Sequence, residues 1–166
     1  MNIDIPTRSP AQHSPDDSIL PFEVAALDLR GRVVRLGPAI DEILTRHEYP
    51  LPVSKLLGEA IALAALFGSS LKFDGRFILQ TQSDGRGHLA MTIDQGADMN
   101  RYQGLVALDG GGLEAAAHEY FLRSEQIPTR VRLAVAEEMR RGDSGMTHWR
   151  AGGIMLQFLP KSEERQ

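Results

Sequence analysis

The 166-residue chain has no cysteine, a single tryptophan and no dense run of basic residues. Without thiols it can form neither a disulfide scaffold nor a thiolate zinc site of its own. Arg140-Arg141 is the longest contiguous basic stretch, and 18 basic against 22 acidic residues leave a net charge of -4. A nucleic-acid binder needs clustered cations to displace counterions, so nucleic acid is not an expected partner. Long apolar runs are scarce as well. The stretch from Leu56 to Phe67 is interrupted by Gly58 and Glu59 and is shorter than a bilayer span, so no membrane is expected. The start, Met1-Asn2-Ile3-Asp4, lacks a basic region ahead of an apolar one, and no signal peptide is expected. These absences point to a soluble cytoplasmic protein. A hydrophobic content of 42% is enough for one domain with a core.

Residues 1–19 are rich in Pro, Ser and Asp and read as a flexible tail, with the body domain at 20–160 and a charged tail at 161–166. Phe22 to Leu29 and Val33 to Leu36 flank Arg30-Gly31-Arg32, the pattern of a β-hairpin turning at the glycine. Pro38 suits the first turn of a helix, where its missing N–H has no intrahelical partner. Tyr49-Pro50-Leu51-Pro52 stops that helix, because a residue before proline is pushed out of the α region. Val53 to Ser69 then reads as a more apolar second helix and Leu113 to Arg123 as a third. Strands are expected at Phe77 to Gln82, His88 to Ile93, Tyr102 to Leu108, Thr129 to Ala136 and Ile154 to Leu159, with Arg140 to Arg150 a polar loop. No internal repeat is present. The fold class expected from this order is α+β, a mostly antiparallel sheet packed against helices.

Chemistry is sparse. Gly142-Asp143-Ser144-Gly145 has the order of a serine-protease nucleophile segment, and a small hydrolase using Ser144 is one alternative. Met146 stands where a further glycine would, and none of the five histidines sits in a recognisable partner motif. The histidines are dispersed without an HxxxH pair, so no metal site is expected in this chain. Gly110-Gly111-Gly112 precedes a helix but lacks the lysine of a phosphate-binding loop. No catalytic residue is expected, and the chain reads as a non-enzyme.

Five segments carry a resemblance. They are His47 to Val53, Leu71 to Gly75, Arg101 to Val106, Tyr120 to Thr129 and Ala151 to Gln157. In this order they are similar to the N-terminal domain of the bacterial redox-regulated 33-kDa heat-shock chaperones. The resemblance implies an ATP-independent holdase that binds unfolding client proteins under oxidative and heat stress, and a homodimer. It further implies zinc bound by a four-cysteine C-terminal module that serves as the oxidant sensor, a module this chain does not contain. The family also carries some tens of residues, with a strand and a helix, where Gly85 here runs directly into Arg86. The pattern resumes without drift at His88, which favours omitted residues over a shortened relative. A bare dimerisation module without client affinity is the remaining alternative.

For client binding the apolar helical positions Leu56, Leu57, Ile61 and Phe67 are the candidates, with core packing as the competing reading. Tyr120 and Phe121 are read as core or interface. Arg123 and Glu125 are read either as the polar end of a helix before Pro128 or as an internal or interfacial polar clasp.

Overall fold

The computed structural model describes residues 16–70, 76–82, 88–94, 102–107, 111–139 and 145–159. In chain order the elements are β1 (Ser18–Val24), a 3₁₀ turn (Ala25–Leu27), β2 (Leu29–Leu36), α1 (Pro38–Thr45), α2 (Leu51–Gly68), β3 (Arg76–Gln82), β4 (His88–Asp94) and β5 (Tyr102–Ala107). They are followed by α3 (Gly112–Tyr120), a π turn (Phe121–Glu125), β6 (Thr129–Met139) and β7 (Thr147–Phe158). Every strand pairing is antiparallel, giving a four-stranded sheet in the order β1-β2-β7-β6 and a three-stranded sheet in the order β3-β4-β5. The fold is α+β, as the alternation of strand and helix patterns implied.

α2 lies across β2, β6 and β7 of the larger sheet and also meets β3, while α3 bridges β6 and β5. The core sits under α2: Ala62, Leu63, Leu66 and Phe67 pack with Ile40 and Leu44 of α1, Ala116 and Ala117 of α3, and Val34, Val131, Ala151 and Met155 of the sheet. Close approach is possible because Gly58 has no side chain. A Cβ there would stand 2.9 Å from both methyl groups of Val135. By length and a mean hydropathy of 1.5, α2 would pass for a membrane span, although its sequence core looked too interrupted. In this fold it is the central core helix.

Several boundaries differ from the sequence expectation. The β1–β2 connection turns at Ala25–Leu27, not at Arg30-Gly31-Arg32. Asp28 closes it in the left-handed region (φ 47°) and donates its N–H to the Ala25 carbonyl at 3.2 Å. Gly31 lies mid-strand, where the Phe22 ring of β1 lies over it. A Cβ on Gly31 would come within 2.3 Å of Phe22 Cζ and 2.9 Å of the Met155 carbonyl. The polar segment expected as a loop to Arg150 becomes strand from Thr147, because Trp149 and Ala151 alternate into the core.

Asp16 and Asp17, just ahead of β1, contact the sheet and α1. Asp16 forms a two-pronged ion pair with Arg150 (2.7 and 2.6 Å) and a third contact with Arg35 at 3.3 Å. That pairing raises the Arg150 guanidinium's pKa further, against the opposing effect of burial. Asp17 caps α1 from outside the helix. Its carboxylate accepts the Gly37 and Ala39 N–H groups at 2.8 and 3.0 Å, serving the donors that a helix start leaves without partners.

Candidate functional site

Strand periodicity sorts the larger sheet into two faces. Toward the helices, β7 directs Trp149, Ala151, Met155 and Gln157, all buried, and β2 directs Val34. The alternate residues point away, and the register sets them side by side. Leu20 is opposite Val33, Val24 opposite Leu29, Val33 opposite Ile154, and Leu29 opposite Phe158. On β6, Ala134 and Ala136 fall on this second face, opposite Gly152 and Arg150. Val33, Ile154 and Leu156 are half-buried and do not join the core, while Leu20 is 56% and Phe158 43% exposed. α1 and α2 pack on the other face, while on this one Leu29 is buried and the Phe22 ring lies over Gly31. Its centre is aliphatic and aromatic, and the charged groups (Arg130, Arg132, Arg35, Arg150) lie toward its margins. Monomeric proteins seldom expose a contiguous apolar surface of this kind unless something binds it.

A groove of about 560 Å³ opens beside this face between α3 and the start of β6, lined by Ala115, His118, Leu122, Pro128, Arg130 and Phe158 among others. Leu122 at its rim is 68% exposed. Arg130 and Phe158 belong to both groove and open face, so the two surfaces are continuous.

The helical candidates do not assemble into a patch. Leu56 is 47% exposed, Leu57 and Ile61 are half-buried against the core, and Phe67 is only 3% exposed. Phe67 stacks on Phe121 (ring centroids 4.8 Å) and meets Tyr120 edge-on at 6.0 Å, so these three rings are core. Arg123 and Glu125 do not clasp each other. Arg123 pairs with Glu119 at 2.6 Å, and Glu125 accepts the Tyr120 hydroxyl at 3.2 Å. The cause is the π turn, which ends with Gln126 in the left-handed region (φ 54°) ahead of Pro128.

Ser144 lies outside the described residues. His148, four positions later, holds its Nδ1 2.8 Å from Asp41, an arrangement that a catalytic triad also uses. Here the other Asp41 oxygen accepts the Trp149 N–H at 2.7 Å, so the carboxylate ties α1 to β7. A tetrathiolate zinc site does not fit this chain, which has no cysteine, and no group of three metal-ligating side chains occurs among the described residues.

Comparison with known proteins fits this arrangement to a family. The model of the family described as "Hsp33 protein" matches residues 17–86 and 82–166, two stretches that overlap between β3 and β4. The chain belongs to the Hsp33 family. It is 44% identical over 194 residues to a 33 kDa chaperonin of Caulobacter vibrioides, covering 90% of this chain and 63% of that protein. With a 33 kDa chaperonin of Pseudomonas syringae it is 36% identical over 170 residues, 80% of this chain and 53% of the relative. The chain thus spans less than two thirds of the length of these Hsp33 relatives. The crystal structure of the 33 kDa chaperonin from Thermotoga maritima superposes with a TM-score of 0.70 at 21% identity, over 84% of this chain and 60% of that one, and supports the shared fold.

The open sheet face was not among the sequence candidates, yet a signal for it was present. Val33-Val34 and Ile154-Met155-Leu156 are apolar on both sides of their strands. That is the pattern of a strand covered on two faces, not one.

Proposed function

We propose that this chain is the body of an ATP-independent holdase, and that the open face of the β1-β2-β7-β6 sheet, with the adjoining groove, is where unfolding proteins are held. The observation that carries the reading is the unbroken apolar surface from Leu20 and Phe22 through Val33 to Ile154 and Leu156, opposite a fully formed core. A holdase works by mass action: it needs apolar area within reach of a client, and no chemical step. Membership of a family whose relatives are named chaperonins supports this function over a hydrolase at Ser144 or a bare dimerisation module.

Homodimerisation and a cytoplasmic setting belong to the same proposal. Redox control is assigned to parts of the protein outside this chain, since a thiol sensor needs cysteines and none is present. The family's internal segment belongs to the same proposal, with the gap between residues 85 and 86. The two matched stretches overlap there, and the alignment to the Caulobacter relative is longer than the 166-residue chain itself. The test is light scattering from a thermally unfolding client. Sub-stoichiometric to equimolar chain suppresses aggregation, and the Ser144→Ala variant does so equally. Scattering that is unchanged by a folded, soluble chain removes the holdase reading.

A further inference from the structure

β6 is an outer strand, and half of every outer strand's backbone groups point away from the sheet, ready to pair with another chain. In the first part of β6 two of the outward N–H groups are already taken. The Val131 N–H donates to Nε2 of His118 at 2.8 Å, and the Leu133 N–H donates to Oε1 of Glu114 at 2.7 Å. Glu114 and His118 are one helical turn apart on α3, about 6 Å along its axis, and alternate strand residues lie about 6.6 Å apart. The spacings match, so the helix presents two acceptors where an added strand would present carbonyls. Arg132 grips the second oxygen of Glu114 at 2.6 Å and holds the first toward the strand. Burial opposes the charge on Glu114, but the Leu133 N–H and Arg132 together keep its carboxyl below the usual range and therefore ionised.

Two further features blunt the sheet's outer strands. The far end of β6 carries Glu137 and Glu138, and the opposite outer strand β1 has Pro21, which has no N–H to offer, in its middle.

We infer that Glu114 and His118 form an edge guard: they keep extended segments, from a client or from a second copy of this chain, from joining the sheet as a fifth strand. Resting on the holdase reading, this also defines the client class. Clients are taken by apolar side chains laid on the open face, not by main-chain pairing at the edge. A protein that presents apolar sheet surface to aggregation-prone chains would otherwise be a template for their β-structure.

The test uses the full chain. The double variant Glu114→Ala/His118→Ala is compared with Glu114→Gln/His118→Gln, which keeps an acceptor oxygen at both places. The alanine pair self-associates beyond the parent's state in sedimentation velocity, and the Val131 and Leu133 amides exchange about tenfold faster or more. The glutamine pair stays close to the parent in both. A merely structural role lowers the melting temperature without changing association. An alanine pair that melts cooperatively yet keeps the parent's oligomeric state overturns the guard. Where the double variant does not fold, each single alanine variant is read by the same two measurements. Client light scattering is measured alongside. Loss of suppression in the parent overturns the holdase reading alone, while association gained by the alanine pair still upholds the guard.

Discussion

Met155 and Leu156 are adjacent, and the two-face assignment demands opposite consequences from changing them. Met155 is fully buried among the helices. Truncation to alanine removes its transfer free energy and leaves a cavity, together about 2–5 kcal/mol. For a domain of this size that is a fall in melting temperature of roughly 5–15 °C. Leu156 is half-buried on the open face, outside the core. Leu156→Ser should cost only about 1 kcal/mol of stability, in proportion to the apolar area it already hides. The same residue is expected to contact clients, and losing about 1 kcal/mol of contact weakens capture roughly fivefold. Urea or thermal melts supply the first readout, and suppression of client light scattering at 25–30 °C below the parent's midpoint supplies the second. Met155→Ala should be much less stable but competent while folded, and Leu156→Ser should be nearly as stable but weaker in capture. If Leu156→Ser melts as low as Met155→Ala and holds clients as well as the parent, the faces have been assigned the wrong way round.

Three further outcomes follow from particular contacts. Asp16→Asn breaks the two-pronged contact with Arg150 and the contact with Arg35; it should lower stability by about 1–3 kcal/mol in a urea melt, less at high salt. Glu59 and Glu114 should show opposite pH dependence. Burial and the charge of Glu114 raise the Glu59 carboxyl, so Glu59→Gln should stabilise at pH 7 and lose that advantage once acid protonates Glu59 in the parent. Glu114 is held low, so its contribution is present above the unfolded carboxylate range near pH 4.3 and is lost as pH falls through its lower folded value; Glu114→Gln should be the less stable form at pH 7, with the gap closing in acid. Finally, mild peroxide and zinc chelators should leave client suppression by this cysteine-free chain unchanged, and any dependence on either would contradict the assignment of the sensor to other parts of the protein.

Much of the scaffold could be read locally. Pro38 marks the first turn of α1, and Pro128 stands two residues after Gln126, which closes the π turn; Pro52, read as a helix stop, instead lies in the first turn of α2. What could not be read depends on partners far along the chain. Gly31 looked like a turn residue because glycine usually is one; here it is needed because Phe22 lies over it from the next strand. Asp16 and Asp17 looked like tail, yet their partners Arg150 and Gly37 are 134 and 20 residues away. Glu114 and His118 stand at ordinary helical spacing, and only the placement of β6 beside them turns that spacing into a match with strand amides. The open face shows the same limit most clearly. Ile154-Met155-Leu156 announces a strand that wants cover on both sides, but the strand's own residues cannot say which side receives it. α1 and α2 both lie on the side of Met155. Leu20, Val33, Ile154 and Leu156 therefore remain an apolar face outside the core because the helices that could have buried them are packed on the other side of the sheet.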